Sequence, residues 1–213
     1  MTNLIIFDFD GTLVNTLPLY LKAYNNALKE QNFIFTDKQI VNTCFGKTEK
    51  TICNNLGIPN KTKQFTKTYF ADVDDFFNQA KLFDDVLNFL NLAKEKQIKL
   101  GIISFAYRWY LDKMIKKLNL NQYFDLIIGF DDVKNPKPKP EAVILTCKKF
   151  NKKPQNTIVI GDSKSDILMG KSAGSKTILF HPEEYSLFYN LKDLKQAKPN
   201  YIVQSFKQLV KLL

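Results

Sequence analysis

Leu4-Ile5-Ile6-Phe7-Asp8-Phe9-Asp10-Gly11-Thr12-Leu13 decides how the rest of this chain is read. Its first four residues form a short apolar run, the pattern of a strand buried on both faces. Asp8 and Asp10 follow at once. Two residues apart on a strand, they share one face and leave its carboxyl end together. Two acids at the tip of a buried strand are costly unless a cation or a proton lies between them. Gly11 permits a sharp turn at that point. An Asp-Gly turn after a strand is ordinary by itself, so the pair gains meaning only if other acids reach the same edge.

Outward from this stretch, similar apolar runs recur at Lys99–Ser104, Leu126–Ile128, Thr157–Ile160 and Thr177–Phe180, with a last one near Tyr201–Val203. Helical spacing separates most of them, over Tyr107–Leu118, Pro140–Phe150 and Ser165–Ala173, and a final helix is expected to run to Leu213. Short apolar strands alternating with helices predict a parallel α/β sheet. Residues 17–79 break the rhythm. They carry helix-type spacing, punctuated at Phe45-Gly46 and at Gly57-Ile58-Pro59, and no buried-strand run. The expected organisation is a core of residues 1–16 and 80–213 with a helical subdomain of residues 17–79 inserted after the first strand. Chemistry in open parallel sheets sits at the carboxyl ends of the strands, so an insertion there is expected to hang over it.

With 213 residues, 45% of them hydrophobic, the chain has enough apolar surface for a sizeable core. The N-terminal apolar stretch is short and lacks the basic flank of a leader. No apolar run is long enough to cross a bilayer, and a soluble cytoplasmic protein is expected. Cys44, Cys53 and Cys147 are an odd set without close pairs, which reads as buried thiols rather than a disulfide framework or a zinc site. The single histidine, His181, precedes Pro182 and reads as a loop residue rather than a base. A net charge of +10 raises the question of nucleic acid. The lysines are spread along the whole chain, however, and Arg108 is the only arginine, the residue that most often reads base edges. A solvated basic surface is the favoured reading.

A second acidic strand tip follows the fourth run: Gly161-Asp162-Ser163-Lys164-Ser165-Asp166. Helix capping accounts for one acid there, through Ser163 or Ser165 as cap and Asp166 in the first turn. It does not account for Asp8, Asp10 and Asp162 meeting at one sheet edge, which a hard divalent cation with oxygen ligands does. Ser104 ends the second run with a hydroxyl at the same edge. In Asn135-Pro136-Lys137-Pro138-Lys139-Pro140 the alternating prolines hold the chain extended, so Lys137 is presented at low entropic cost to phosphate oxygens. Taken alone, that stretch reads as a rigid surface loop.

Together these pieces resemble the haloacid dehalogenase-like hydrolase superfamily, in its branch of phosphoglycolate phosphatase-like and β-phosphoglucomutase-like proteins. Asp8-x-Asp10-Gly11-Thr12-Leu13, Ser104, Lys137-Pro138-x-Pro140, and Gly161-Asp162-Ser163-x-x-Asp166 followed by Ala173-Gly174 stand in the family's order and span nearly the whole chain. The resemblance implies a Rossmann-like three-layer core with a helical cap, and a magnesium-dependent phosphatase working through an aspartyl-phosphate. It implies Asp8 as nucleophile and Asp10 as general acid/base, with Asp8, Asp10 (through its carbonyl) and Asp162 at the metal and Asp166 supporting the metal site. Thr12, Ser104 and Lys137 would serve the phosphate, with Thr12 also holding Asp10. The implied partner is a small phosphorylated metabolite, with neither nucleic acid nor membrane, and the oligomeric state stays open.

Two positions depart from the family's habit: Asn15 where an acid is frequent, and Phe105 where Asn, Ser or Thr is frequent. Asp10 argues against a metal-free dehalogenase but does not separate a phosphatase from a phosphomutase. No lysine is identified for a phosphonatase, and Lys47 reads as a helix-surface residue rather than a substrate contact. A non-catalytic binding protein on the same fold is the reading from a different class, and the presence of all four motifs argues against it.

Overall fold

The computed structural model describes residues 3–76 and 78–211. Six strands form one parallel sheet: β1 (Leu4–Phe7), β2 (Lys99–Ile103), β3 (Leu126–Ile128), β4 (Thr157–Gly161), β5 (Lys176–Phe180) and β6 (Tyr201–Val203). Their order is β3-β2-β1-β4-β5-β6. The chain winds outward from β1 through β2 and β3, then returns to lay β4 on the other side of β1. This is the strand order of a Rossmann-like α/β fold, and ligands bind where the winding reverses. The expected α/β class is observed.

The helices associated with the sheet are α5 (Val86–Glu95), α6 (Arg108–Lys117), α7 (Glu141–Lys149), α8 (Lys164–Ser172), α9 (Leu191–Lys195) and α10 (Phe206–Val210), after α1 (Leu17–Glu30), α2 (Asp37–Cys44), α3 (Glu49–Asn55) and α4 (Thr62–Phe76) earlier in the chain. Alternation along β1 divides the core. Leu4 and Ile6 pack with Val143 and Cys147 of α7, Val159 of β4 and Met169 of α8. Phe7, on the opposite face, meets Phe89 of α5 edge-on at 5.6 Å and stacks on Phe206 of α10 at 6.1 Å. Burying such a ring contributes about 1.5–3 kcal/mol. Covering both faces is what permits β1 to be apolar throughout.

The sequence reading contains no helix between residue 79 and the second strand, and α5 corrects it. Val86, Phe89, Leu90 and Ala93 form its buried stripe at helical spacing. Its start carries no cap signal: Asp85 sits at φ 62° with no side-chain cap bond, so the usual N-terminal signature is missing. The last helix ends earlier than expected, at Val210; Leu212 and Leu213 lie outside the described residues.

The chain divides into two compact units, Met1–Asn15 with Lys81–Leu213, and Thr16–Ala80. The second is purely helical among the described residues. Thr36 and Gln39 form a capping box at the start of α2, and α1 packs along α4, where Tyr24 and Tyr69 stack at 4.5 Å. Lys47 donates to the carbonyls of Asn42 and Thr43 and so closes the C-terminus of α2. All three cysteines are free and buried. Among the described residues no helix is long and apolar enough to cross a membrane.

Candidate active site

Strand register brings the acids together. Phe7 of β1 pairs with Ile160 of β4, and the Asp8 amide donates to the Ile160 carbonyl at 2.8 Å. Asp8 and Asp162 therefore leave neighbouring strand tips side by side. Gly11, at φ 79°, turns the chain back so that its amide meets the Val14 carbonyl at 2.8 Å. On the other flank Ser104 directly follows β2, and its Oγ accepts from the Ala106 amide at 3.1 Å.

Asp8, Asp162 and Asp166 each offer a carboxylate oxygen within 4.8 Å of the others, and all three are buried. Lys137 reaches between two of them. Its Nζ lies 2.8 Å from Asp8 Oδ2 and 2.7 Å from Asp166 Oδ1, with its side chain only 3% exposed. Asp166 also accepts from the Ser163 amide through Oδ2 at 3.1 Å, at the start of α8. The capping role and the site role thus fall on different oxygens of one carboxylate. Gly161 is obligatory here, because a Cβ on it would stand 2.3 Å from Asp166 Cγ.

Burial raises the Asp8 carboxyl well above its usual range; Asp166 and Asp162 raise it too, and Lys137 offsets them only in part. Burial, then Asp166, pushes Asp162 up to about 7. Burial alone would depress the Lys137 ammonium, but Asp166 and Asp8 hold it above its ordinary range. Three acids face one lysine, so negative charge remains undercompensated. Asp162 Oδ2 is buried without a hydrogen bond of ordinary geometry among the described residues, and the Tyr189 phenol is close enough to act on the Asp162 carboxylate as a donor. An all-oxygen set of three buried carboxylates with their charge undercompensated fits a small hard cation such as magnesium.

The sequence reading sets Thr12 beside Asp10 and the phosphate. In the fold its hydroxyl donates to Asp162 Oδ1 at 3.0 Å. Asp10 stands outside the buried triad, and its Oδ1 accepts from the Tyr110 hydroxyl at 2.7 Å. Nothing in the sequence flags Tyr110, which lies one hundred residues from Asp10. Tyr189 is a second neighbour without a sequence signal: its buried phenol is held above the ordinary range by burial and by the charge of Asp162. Phe105, one of the two departures, packs on Phe130 with ring centroids 4.9 Å apart. Arg108 is occupied by Asp112 at 2.8 Å and by the Ile127 carbonyl at 3.3 Å. His181 is buried directly after β5, its amide on the Val203 carbonyl, away from the acid cluster's hydrogen bonds.

A doubly wound parallel sheet with a lysine clasped between acids at its reversal point defines an α/β enzyme of the Rossmann-like class. Within that class, the chain belongs to the haloacid dehalogenase-like hydrolase family, whose model matches residues 5–180. It is 27% identical to pyrophosphatase PpaX of Oceanobacillus iheyensis, over 98% of this chain and 95% of that protein. It is 26% identical to phosphoglycolate phosphatase of Haemophilus influenzae, over 99% and 97%. A crystal structure described as a predicted phosphoglycolate phosphatase from Haemophilus somnus superposes with a TM-score of 0.86 at 23% identity, covering 99% of this chain and 97% of that one, and shares the fold.

Proposed function

We propose that this hydrolase is a magnesium-dependent, cytoplasmic phosphatase that cleaves a small phosphate monoester through an aspartyl-phosphate on Asp8. The observation that carries the reading is the placement of Lys137 between Asp8 and Asp166, beside the buried carboxylate of Asp162. The names of the relatives support a phosphatase over a phosphomutase.

In this reading an Asp8 carboxylate oxygen attacks phosphorus and the bond to the departing alcohol breaks. Asp10 gives that alkoxide its proton, then takes a proton from the water that attacks phosphorus and frees Asp8. Lys137 and the Ser104 hydroxyl hold the phosphoryl oxygens as charge builds on them. Asp8, Asp162 and the Asp10 carbonyl would hold magnesium, supported by Asp166. The ion would neutralise the repulsion between carboxylate and phosphate.

Chelation is expected to abolish turnover of an aryl phosphate, and added magnesium to restore it; full activity in excess chelator would overturn the metal assignment. Calcium should bind and support turnover poorly, since its looser coordination positions the nucleophile less well. A pH dependence follows from Asp162. Its folded pKa of about 7 lies above the ordinary carboxylate value, so its contribution to stability is greatest at acid pH and is lost as pH rises through about 7. A cation binds the ionised form and competes with that proton. The rise in melting temperature caused by magnesium is therefore expected to be larger at pH 8 than at pH 5.5. Equal rises at both pH values would count against Asp162 as a ligand.

Substrate choice is assigned to the helical unit, which enters the chain directly after the acid-bearing strand. The Asn15 amide donates to the Lys81 carbonyl at 2.9 Å, so a short linker spans the point where that unit leaves the core. Replacing residues 17–79 with such a linker should flatten selectivity among metabolite phosphates more than it weakens magnesium binding. An unchanged selectivity profile would refute the assignment.

A further inference from the structure

We propose that Tyr110 is a positioning residue for Asp10, a role that rests on Asp10 being the acid/base group. The phenol hydroxyl donates to Asp10 Oδ1 at 2.7 Å, the length of a strong hydrogen bond onto a carboxylate. Tyr110 is the third residue of α6, and its amide is held by the Tyr107 carbonyl at 3.1 Å. Its side chain is 5% exposed, and its ring meets Phe9 edge-on at 6.4 Å. The anchor is therefore rigid, whereas Asp10 is half-buried on the turn that follows β1. A flexible carboxylate in that place has two free torsions, and each must be fixed before a proton is delivered to a departing oxygen. The Tyr110 hydroxyl restrains them through Oδ1. Phe9, whose backbone separates the two catalytic acids, is also the surface on which the Tyr110 ring rests, so packing and positioning come from one contact.

The test is Tyr110→Phe, which keeps the ring and removes the hydroxyl. With an alkyl phosphate, kcat is expected to fall about tenfold with KM little changed. With an aryl phosphate, whose phenoxide leaves without a proton, kcat should fall far less. The same change is then made in an Asp10→Asn background, where it should add no further loss. An equal loss for both leaving groups, or an undiminished loss in the Asp10→Asn background, would show that Tyr110 acts through packing alone. A failure of Asp10→Asn by itself to lower alkyl phosphate turnover would instead overturn the Asp10 assignment, and the positioning role with it.

Discussion

Asp8→Asn is expected to remove turnover, on the order of 10⁴–10⁶-fold, as loss of a covalent nucleophile does. The amide keeps the size of the carboxylate, and Lys137 retains Asp166 at 2.7 Å, so the fold should survive. What disappears is the oxygen that bonds phosphorus. Rapid-quench single-turnover measurements with an aryl phosphate should show no acid-stable burst and no labelled protein. Asp10→Asn is the contrast. It keeps the nucleophile, so phosphoenzyme should form from the aryl substrate and persist, because the base for water is gone. A burst that survives in Asp8→Asn would place the nucleophile elsewhere.

Lys137→Met is expected to have the largest effect on stability. The lysine is the only cation that the acid triad contacts among the described residues, and it touches two of the three. Removing one partner of a buried ion pair costs about 3–5 kcal/mol, because the carboxylates left behind have neither water nor counter-charge. Methionine keeps most of the volume, so the loss is electrostatic rather than a cavity. Its pH dependence has a definite sign. Asp8 and Asp162 already titrate above their ordinary range, and without the ammonium they rise further. Carboxyls of this kind favour the fold at acid pH and oppose it once pH exceeds their folded values. Urea unfolding should therefore show a modest deficit at pH 5 and a large one at pH 8, with magnesium recovering part of the second. A deficit equal at both pH values would indicate lost packing instead. Turnover should be lost at either pH, since among the described residues no other side chain brings a positive charge to Asp8.

The α/β class was legible because β1 to β5 are continuous apolar runs, and a strand covered on both faces has no polar positions to blur it. The acids that end β1 and β4 were legible for a related reason: in each place an apolar run stops abruptly at carboxylates with a glycine close by, Gly11 after Asp10 and Gly161 before Asp162. Helix α5 was not, since Asp85 enters it in a left-handed conformation without capping, and start signals are local chemistry that this turn does not use.

By itself the sequence determined that Asp8, Asp10, Asp162, Ser104 and Lys137 are set at the ends of strands or in a stiffened loop, because periodicity and proline act over a few residues. The tertiary structure alone decided which of them meet. Strand order put β4 against β1, and the pairing of Phe7 with Ile160 brought Asp8 to Asp162 across more than 150 residues of chain. It also gave Thr12 to Asp162 and Tyr110 to Asp10, partners on no shared local pattern. Hydrogen bonds between side chains so far apart depend on the winding of the sheet and the angle of α6, which arise from packing the whole core and are written in no single stretch of residues.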